Sequence, residues 1–110
     1  MFDMMKMMGK VKEMQSKMKE AQDQLKDIKA EGESGGGMVK ATANGNKELI
    51  GLEIDPSIVN QEDKDMMRDL IIAAVNKAVS EADAQGKEHI RKSTEGLMPN
   101  IPGMDLSGMM

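Results

Sequence analysis

The chain of 110 residues predicts an α+β fold in which a long helix, a thin antiparallel sheet and a second long helix follow one another. Three observations carry this. Apolar residues recur at 3-4 spacing from Met4 to Ile28. The dipeptide Asn44-Gly45 stands between two short runs of alternating apolar and polar residues. A broader apolar stripe runs from Met67 to Ala82.

In the first segment Met4, Val11, Met18 and Leu25 share one heptad position, and Met7, Met14, Ala21 and Ile28 share the other. So narrow a seam, sustained over three heptads, predicts a helix packed on another helix. Methionine at half of these positions makes the seam adaptable but weakly specifying. Gly32 is the expected helix terminator.

The ribbon follows. Asn44-Gly45 suits a two-residue type I′ turn, whose central residues both need positive φ. That turn would pair Ala43 with Asn46, Ala41 with Glu48 and Val39 with Ile50. Val39, Ala41 and Ala43 then share a face with Ile50, Leu52 and Ile54, while Lys40, Thr42, Lys47 and Glu53 occupy the wet face. A short extended piece around residues 31–34 is a candidate third strand. Gly35-Gly36-Gly37 reads as a turn or as a close approach of another backbone. Asp55-Pro56 closes the ribbon.

The second helix should begin near Asn60 or Gln61, with Glu62, Asp63 and Asp65 at the positive end of its dipole. Its stripe is Met67, Leu70, Ile71, Ala74, Val75, Ala78, Val79 and Ala82, wide enough to lie on a sheet. Gly86 is expected to kink or break it. Residues 1–95 form one domain, and 96–110, rich in Met, Pro and Gly, read as a flexible tail.

The totals narrow the possibilities. One Phe, no Trp and no Tyr, with 14 Met, leave a meagre core. Two helices longer than the sheet can cover predict a homodimer. Cysteine is absent, which excludes disulfides and thiolate chemistry and fits a reducing cytosol. The start resembles no signal peptide, and the longest strongly apolar run, Leu70 to Val75, is far below the ~20 residues that span a bilayer. A soluble, cytoplasmic protein is expected.

Catalysis has little to work with. His89, the single imidazole, sits among Lys87, Glu88 and Arg91 and reads as solvated helix surface. Neither Ser34 nor Ser57 lies in a nucleophile elbow. The triple glycine lacks the Gly-Lys-Ser/Thr ending of a phosphate loop, and Asp63-Lys64-Asp65 lacks the rest of a calcium loop. The cluster Met4-Met5-Lys6-Met7-Met8 is better explained by the seam than by thioether copper binding. No enzyme activity, cofactor, metal or small-molecule substrate is expected.

Net charge is −4, but residues 1–20 and 86–94 each carry +2 while residues 21–85 carry −6. Lys87, Arg91 and Lys92 lie at a helix end whose dipole favours cations. Lys6, Lys10 and Lys12 oppose the dipole of their own helix, which suggests phosphate contact as another use. Lys12, Lys19 and Lys26 form a line beside the seam. A solvated amphipathic face explains these lysines equally well from spacing alone.

In that order of elements the chain resembles the YbaB/EbfC family of bacterial nucleoid-associated proteins. The residues carrying the match are Gly32-Glu33-Ser34-Gly35, Gly37, Val39-Lys40, Asn44-Gly45 and Glu53-Ile54-Asp55-Pro56-Ser57, then Asp69-Leu70, Ala73-Ala74 and Asn76-Lys77-Ala78. The resemblance implies an α-β-β-β-α fold and a sheet-mediated homodimer with protruding helices. It also implies binding of double-stranded DNA in the nucleoid with little sequence preference, bending or coating it. Lys6, Lys10, Lys12, Lys17, Lys19, Lys87, Arg91 and Lys92 are the candidate DNA-binding residues. Ala41 and Ala43 depart from the larger β-branched residues expected there and predict looser packing. A protein-interaction adaptor using the Met-rich helix is the alternative; membrane-surface association is the weakest reading.

Overall fold

The computed structural model describes residues 4–95; the tail lies outside the described residues. Helix α1 spans Met4–Gln24 and ends in a short 3₁₀ turn, Leu25–Asp27. Strands β1 (Ala30–Ser34), β2 (Val39–Ala43) and β3 (Leu49–Ile54) follow, then helix α2 (Lys64–Ser93). The sheet is antiparallel in the order β1-β2-β3. The α+β class and the third strand are as expected.

Strand β1 alternates, with Ala30, Gly32 and Ser34 buried and Glu31 and Glu33 exposed. Strand β2 buries Val39, Ala41 and Ala43 on the same face. Against that face α2 presents Ala74, Ala78, Ala82 and Gly86, one residue per turn, all buried. Met67, Leu70, Ile71 and Val75 widen the contact, and Ile54 and Ile58 fill its end. Ala41 and Ala43 are fully buried, so small side chains here bring helix and sheet close together rather than loosening them. Ser34 Oγ donates to the Leu70 carbonyl and ties β1 to α2.

Gly32 is no helix terminator. It lies inside β1, where a Cβ would collide with the Ala74 carbonyl oxygen and the Ala78 amide nitrogen and sit 2.8 Å from Lys77 Cβ. The close approach suspected at the triple glycine occurs here instead. Gly35, Gly36 and Gly37 make the β1–β2 turn, with φ of 61°, 68° and 96°.

The β2–β3 connection also differs from expectation. Asn44 donates its N–H to the Glu48 carbonyl (2.9 Å), and the Lys47 N–H donates to the Asn44 carbonyl (2.9 Å). Asn44 Oδ1 accepts from the Asn46 and Glu48 amides at 2.9 and 3.1 Å. The side chain thus organises a longer loop, and Lys47 takes the left-handed conformation at φ 64°. Gly45 is needed for proximity: its N–H donates to the Leu25 carbonyl at 2.8 Å, and a Cβ would lie 2.5 Å from that oxygen. The register becomes Val39↔Ile54 and Ala41↔Leu52, with an irregularity at Thr42/Ala43. A slip of four residues is even, so Leu52 and Ile54 keep the face they were assigned.

Helix α2 starts later than expected because Asn60 to Asp63 form a capping turn. The Asp63 N–H donates to Asn60 Oδ1 at 2.7 Å. The helix runs unbroken through Gly86, where a Cβ would stand 3.0 Å from the Gly45 carbonyl oxygen. Gly86 therefore seats the loop on the helix.

Candidate nucleic-acid interface

Beyond Gly86 the two helices run side by side in opposite directions. Leu25 Cδ2 reaches the Gly86 site, 3.5 Å from where a Cβ would be. Ala21 is buried and Met14 and Met18 half-buried, as are His89, Ile90 and Ser93 of α2, and the two helices are in contact. At ~1.5 Å per residue, α2 ends about 10 Å past Gly86, whereas α1 continues about 30 Å back to Met4. The first turns of α1 therefore project beyond α2. The longest extent is 76 Å and the radius of gyration 20.1 Å, against about 13 Å for a compact chain of this length. The seam is partnered only in its second half. Met4 is 67 %, Met7 54 %, Met8 59 % and Val11 48 % exposed.

Around α1, at about 100° per residue, charges are sorted. Lys6, Lys10 and Lys17 border one side of the apolar stripe, and Lys12 and Lys19, continued by Lys26, border the other. Glu13 and Glu20 lie on the back, and Asp23 falls beside Lys12. All five candidate lysines of α1 are exposed. Lys10, Lys12, Lys17 and Lys19 make no ion pair among the described residues. A groove of about 440 Å³ opens along the stripe, lined by Met4, Met7, Met8, Val11, Lys12 and Gln15.

The basic end of α2 is different. Lys87 pairs with Asp83 at 3.0 Å, while Arg91 and Lys92 pair with Glu88 at 2.6 and 3.9 Å. The Lys87 ammonium holds the Asp83 carboxyl below its usual range, and the Arg91 guanidinium does the same for Glu88. Asp83 also meets Lys47 at 3.7 Å. All three cations expected at this end are thus engaged by acids of their own helix, so the two basic groups are unequal. Sequence reasoning counted Glu88 only toward the net charge and passed over Asp83, although Asp83/Lys87 and Glu88/Lys92 are plain i,i+4 pairs.

His89 is not solvated surface. It is half-buried, and its Nε2 is buried with no hydrogen-bond partner among the described residues. A larger hollow of about 690 Å³ is lined by Glu31, Glu33, Lys77 and Glu81 among others, a charge balance unsuited to phosphate. Among the described residues no group of His, Cys, Asp or Glu could hold a metal, and no helix is long and apolar enough to cross a membrane.

Comparison with known proteins identifies the family. A nucleoid-associated protein of Agrobacterium fabrum is 45 % identical over 106 residues, covering 96 % of this chain and 98 % of its own. One of Thermoanaerobacter pseudethanolicus is 41 % identical over 103 residues, covering 94 % and 91 %. The crystal structure of an uncharacterised protein from Helicobacter pylori superposes with a TM-score of 0.67 at 30 % identity, covering 80 % of this chain and 92 % of that one. The family model of the YbaB/EbfC DNA-binding family matches residues 1–97. The chain is a member of that family of nucleoid-associated, DNA-binding proteins.

Proposed function

We propose that this protein binds double-stranded DNA as a homodimer through the lysines of α1, with low sequence preference, and alters the conformation of the duplex in the bacterial nucleoid. The observation that carries the reading is the projecting α1, on which Lys10, Lys12, Lys17 and Lys19 flank one stripe with no described ion pair of their own. Free ammonium groups in two rows suit phosphates, whose counterions are released on contact. The chain has no Trp or Tyr to stack on bases, and α1 offers no Asn/Arg face to read base edges. Lys87, Arg91 and Lys92 contribute less, because Asp83 and Glu88 already engage them.

Dimerisation is supported by β3. It forms an edge of the sheet and exposes Leu49 at 47 % and Ile50 at 50 %, an apolar edge that pairing with a second copy would cover. A dimer doubles the lysines offered to one duplex. The test is fluorescence anisotropy on a mixed-sequence duplex at low salt. The variant K10Q/K12Q/K17Q/K19Q should bind at least about tenfold more weakly than the parent; equal affinity removes the proposed surface.

The exposed Met4, Met7, Met8 and Val11 also favour a second reading, an adaptor that grips a partner helix. Nuclease-resistant capture of a protein, with no duplex binding at low salt, would support it.

A further inference from the structure

The projecting stripe of α1 is more than a support for its lysines. Resting on the duplex-binding reading above, we infer that Met4, Met7, Met8 and Val11 themselves enter the DNA as an apolar wedge from the minor-groove side, between base steps. The lysine rows on either side hold the two phosphate backbones.

The charge pattern selects the occupant. Lysines border the stripe on both sides, and the acids Glu13 and Glu20 face the opposite way, so the stripe side is the one a polyanion meets. A second α1 is a poor occupant. The positions flanking the seam are Lys10 and Lys17 on one side and Met8, Gln15 and Gln22 on the other. Among the described residues, antiparallel pairing would set Lys against Lys, and parallel pairing Lys against Gln, with no acid at these flanking positions.

The groove is selected by polarity. An apolar face laid in the major groove would strip water from base-edge donors and acceptors and return nothing but a contact to thymine methyls. Between base pairs, the same methionines meet apolar ring faces. A helix about 10–12 Å across does not fit a minor groove about 6 Å wide. Inserted side chains unstack a step and open that groove as the duplex kinks away. Methionine is flexible enough to wedge at many sequences.

The test uses the full chain and M7Q/M8Q/V11Q, which keeps good helix formers at exposed positions outside the core. A duplex of about 30 bp, labelled at both ends, reports bending by energy transfer. The parent should bring the ends together. The variant should bind with an unchanged salt slope and an affinity lowered by about tenfold or less, yet lose the bend. Equal bending by the variant overturns the wedge and leaves the lysine contacts standing. So does a fall in the solution mass of the variant, which would make the stripe a contact between copies. Flotation of the parent, but not the variant, with phosphatidylglycerol vesicles would assign the stripe to a membrane surface instead. Failure of the parent to bind duplex at low salt sinks the underlying reading and the wedge with it.

Discussion

Replacing Gly32 with Ala adds one methyl group at the point where β1 and α2 touch. The new carbon would lie 2.8 Å from Lys77 Cβ and closer still to backbone atoms of Ala74 and Ala78. Ordinary contact begins at 3.4 Å, so α2 must withdraw by more than half an ångström. No rotamer change relieves this, because the obstacles are backbone. The withdrawal strains the contact that keeps Ala74, Ala78 and Ala82 at 0 % exposure. Overpacking of this kind costs about 1–3 kcal/mol, and backbone obstacles place it at the upper end. Reduced freedom of the unfolded chain returns about 0.4–1 kcal/mol. A net loss of about 2 kcal/mol lowers Tm by about 10 °C or more in a domain of this size. Gly9→Ala is the control: a Cβ there has nothing within 4 Å, so helix propensity alone leaves stability unchanged or raised by up to about 1 kcal/mol. Thermal melts by circular dichroism at one protein concentration measure both. A G32A melt within about 2 °C of the parent would refute the close-approach argument.

Lys47→Gly should raise stability by about 0.5 kcal/mol, because Lys47 holds φ 64° and glycine accepts that conformation freely; chemical denaturation detects it. The gain is limited by losing the exposed contact to Asp83. Ile50→Lys with Leu52→Lys should convert the proposed dimer to a monomer while leaving the helical circular dichroism of α2 in place, as read by light scattering. The carboxyls of Asp55, Asp83 and Glu88 are held below their ordinary values by the Ser57 amide, Lys87 and Arg91 respectively. Depressed carboxylates stabilise above the unfolded value near 4 and lose that contribution as pH falls through the folded value. Tm should therefore be insensitive to these groups above about pH 5 and fall below about pH 4, and Asp83→Asn should flatten part of that fall.

Much of this architecture was legible in the residues. The stripe from Met67 to Ala82 and the alternation of Val39, Ala41 and Ala43 followed from periodicity, and the turn at Gly35–Gly37 was one of the two readings that backbone chemistry left open. Glycine roles were harder, because a sequence does not say which backbone comes near. Gly32 and Gly86 look like helix breakers until α2 is placed on the sheet. Asn44-Gly45 carries a hairpin signal, but Asn44 Oδ1 satisfies two amides of a longer loop, and Gly45 is required by Leu25, twenty positions earlier. The heptad seam was read correctly as a contact surface, yet α2 covers only its second half. The candidate lysines were visible as charge, whereas their inequality was not. It depends on Asp83 and Glu88 reaching Lys87, Arg91 and Lys92 along one helix.

The slope of log affinity against log salt for duplex binding tests the central claim most directly. If the α1 lysines of two copies neutralise about six phosphates, the slope is near −5 and affinity falls about 10³-fold between 50 and 200 mM salt. In K10Q/K12Q/K17Q/K19Q the slope should shrink to about −2 or less. An unchanged slope in that variant, or a parent slope near zero, would contradict binding through α1.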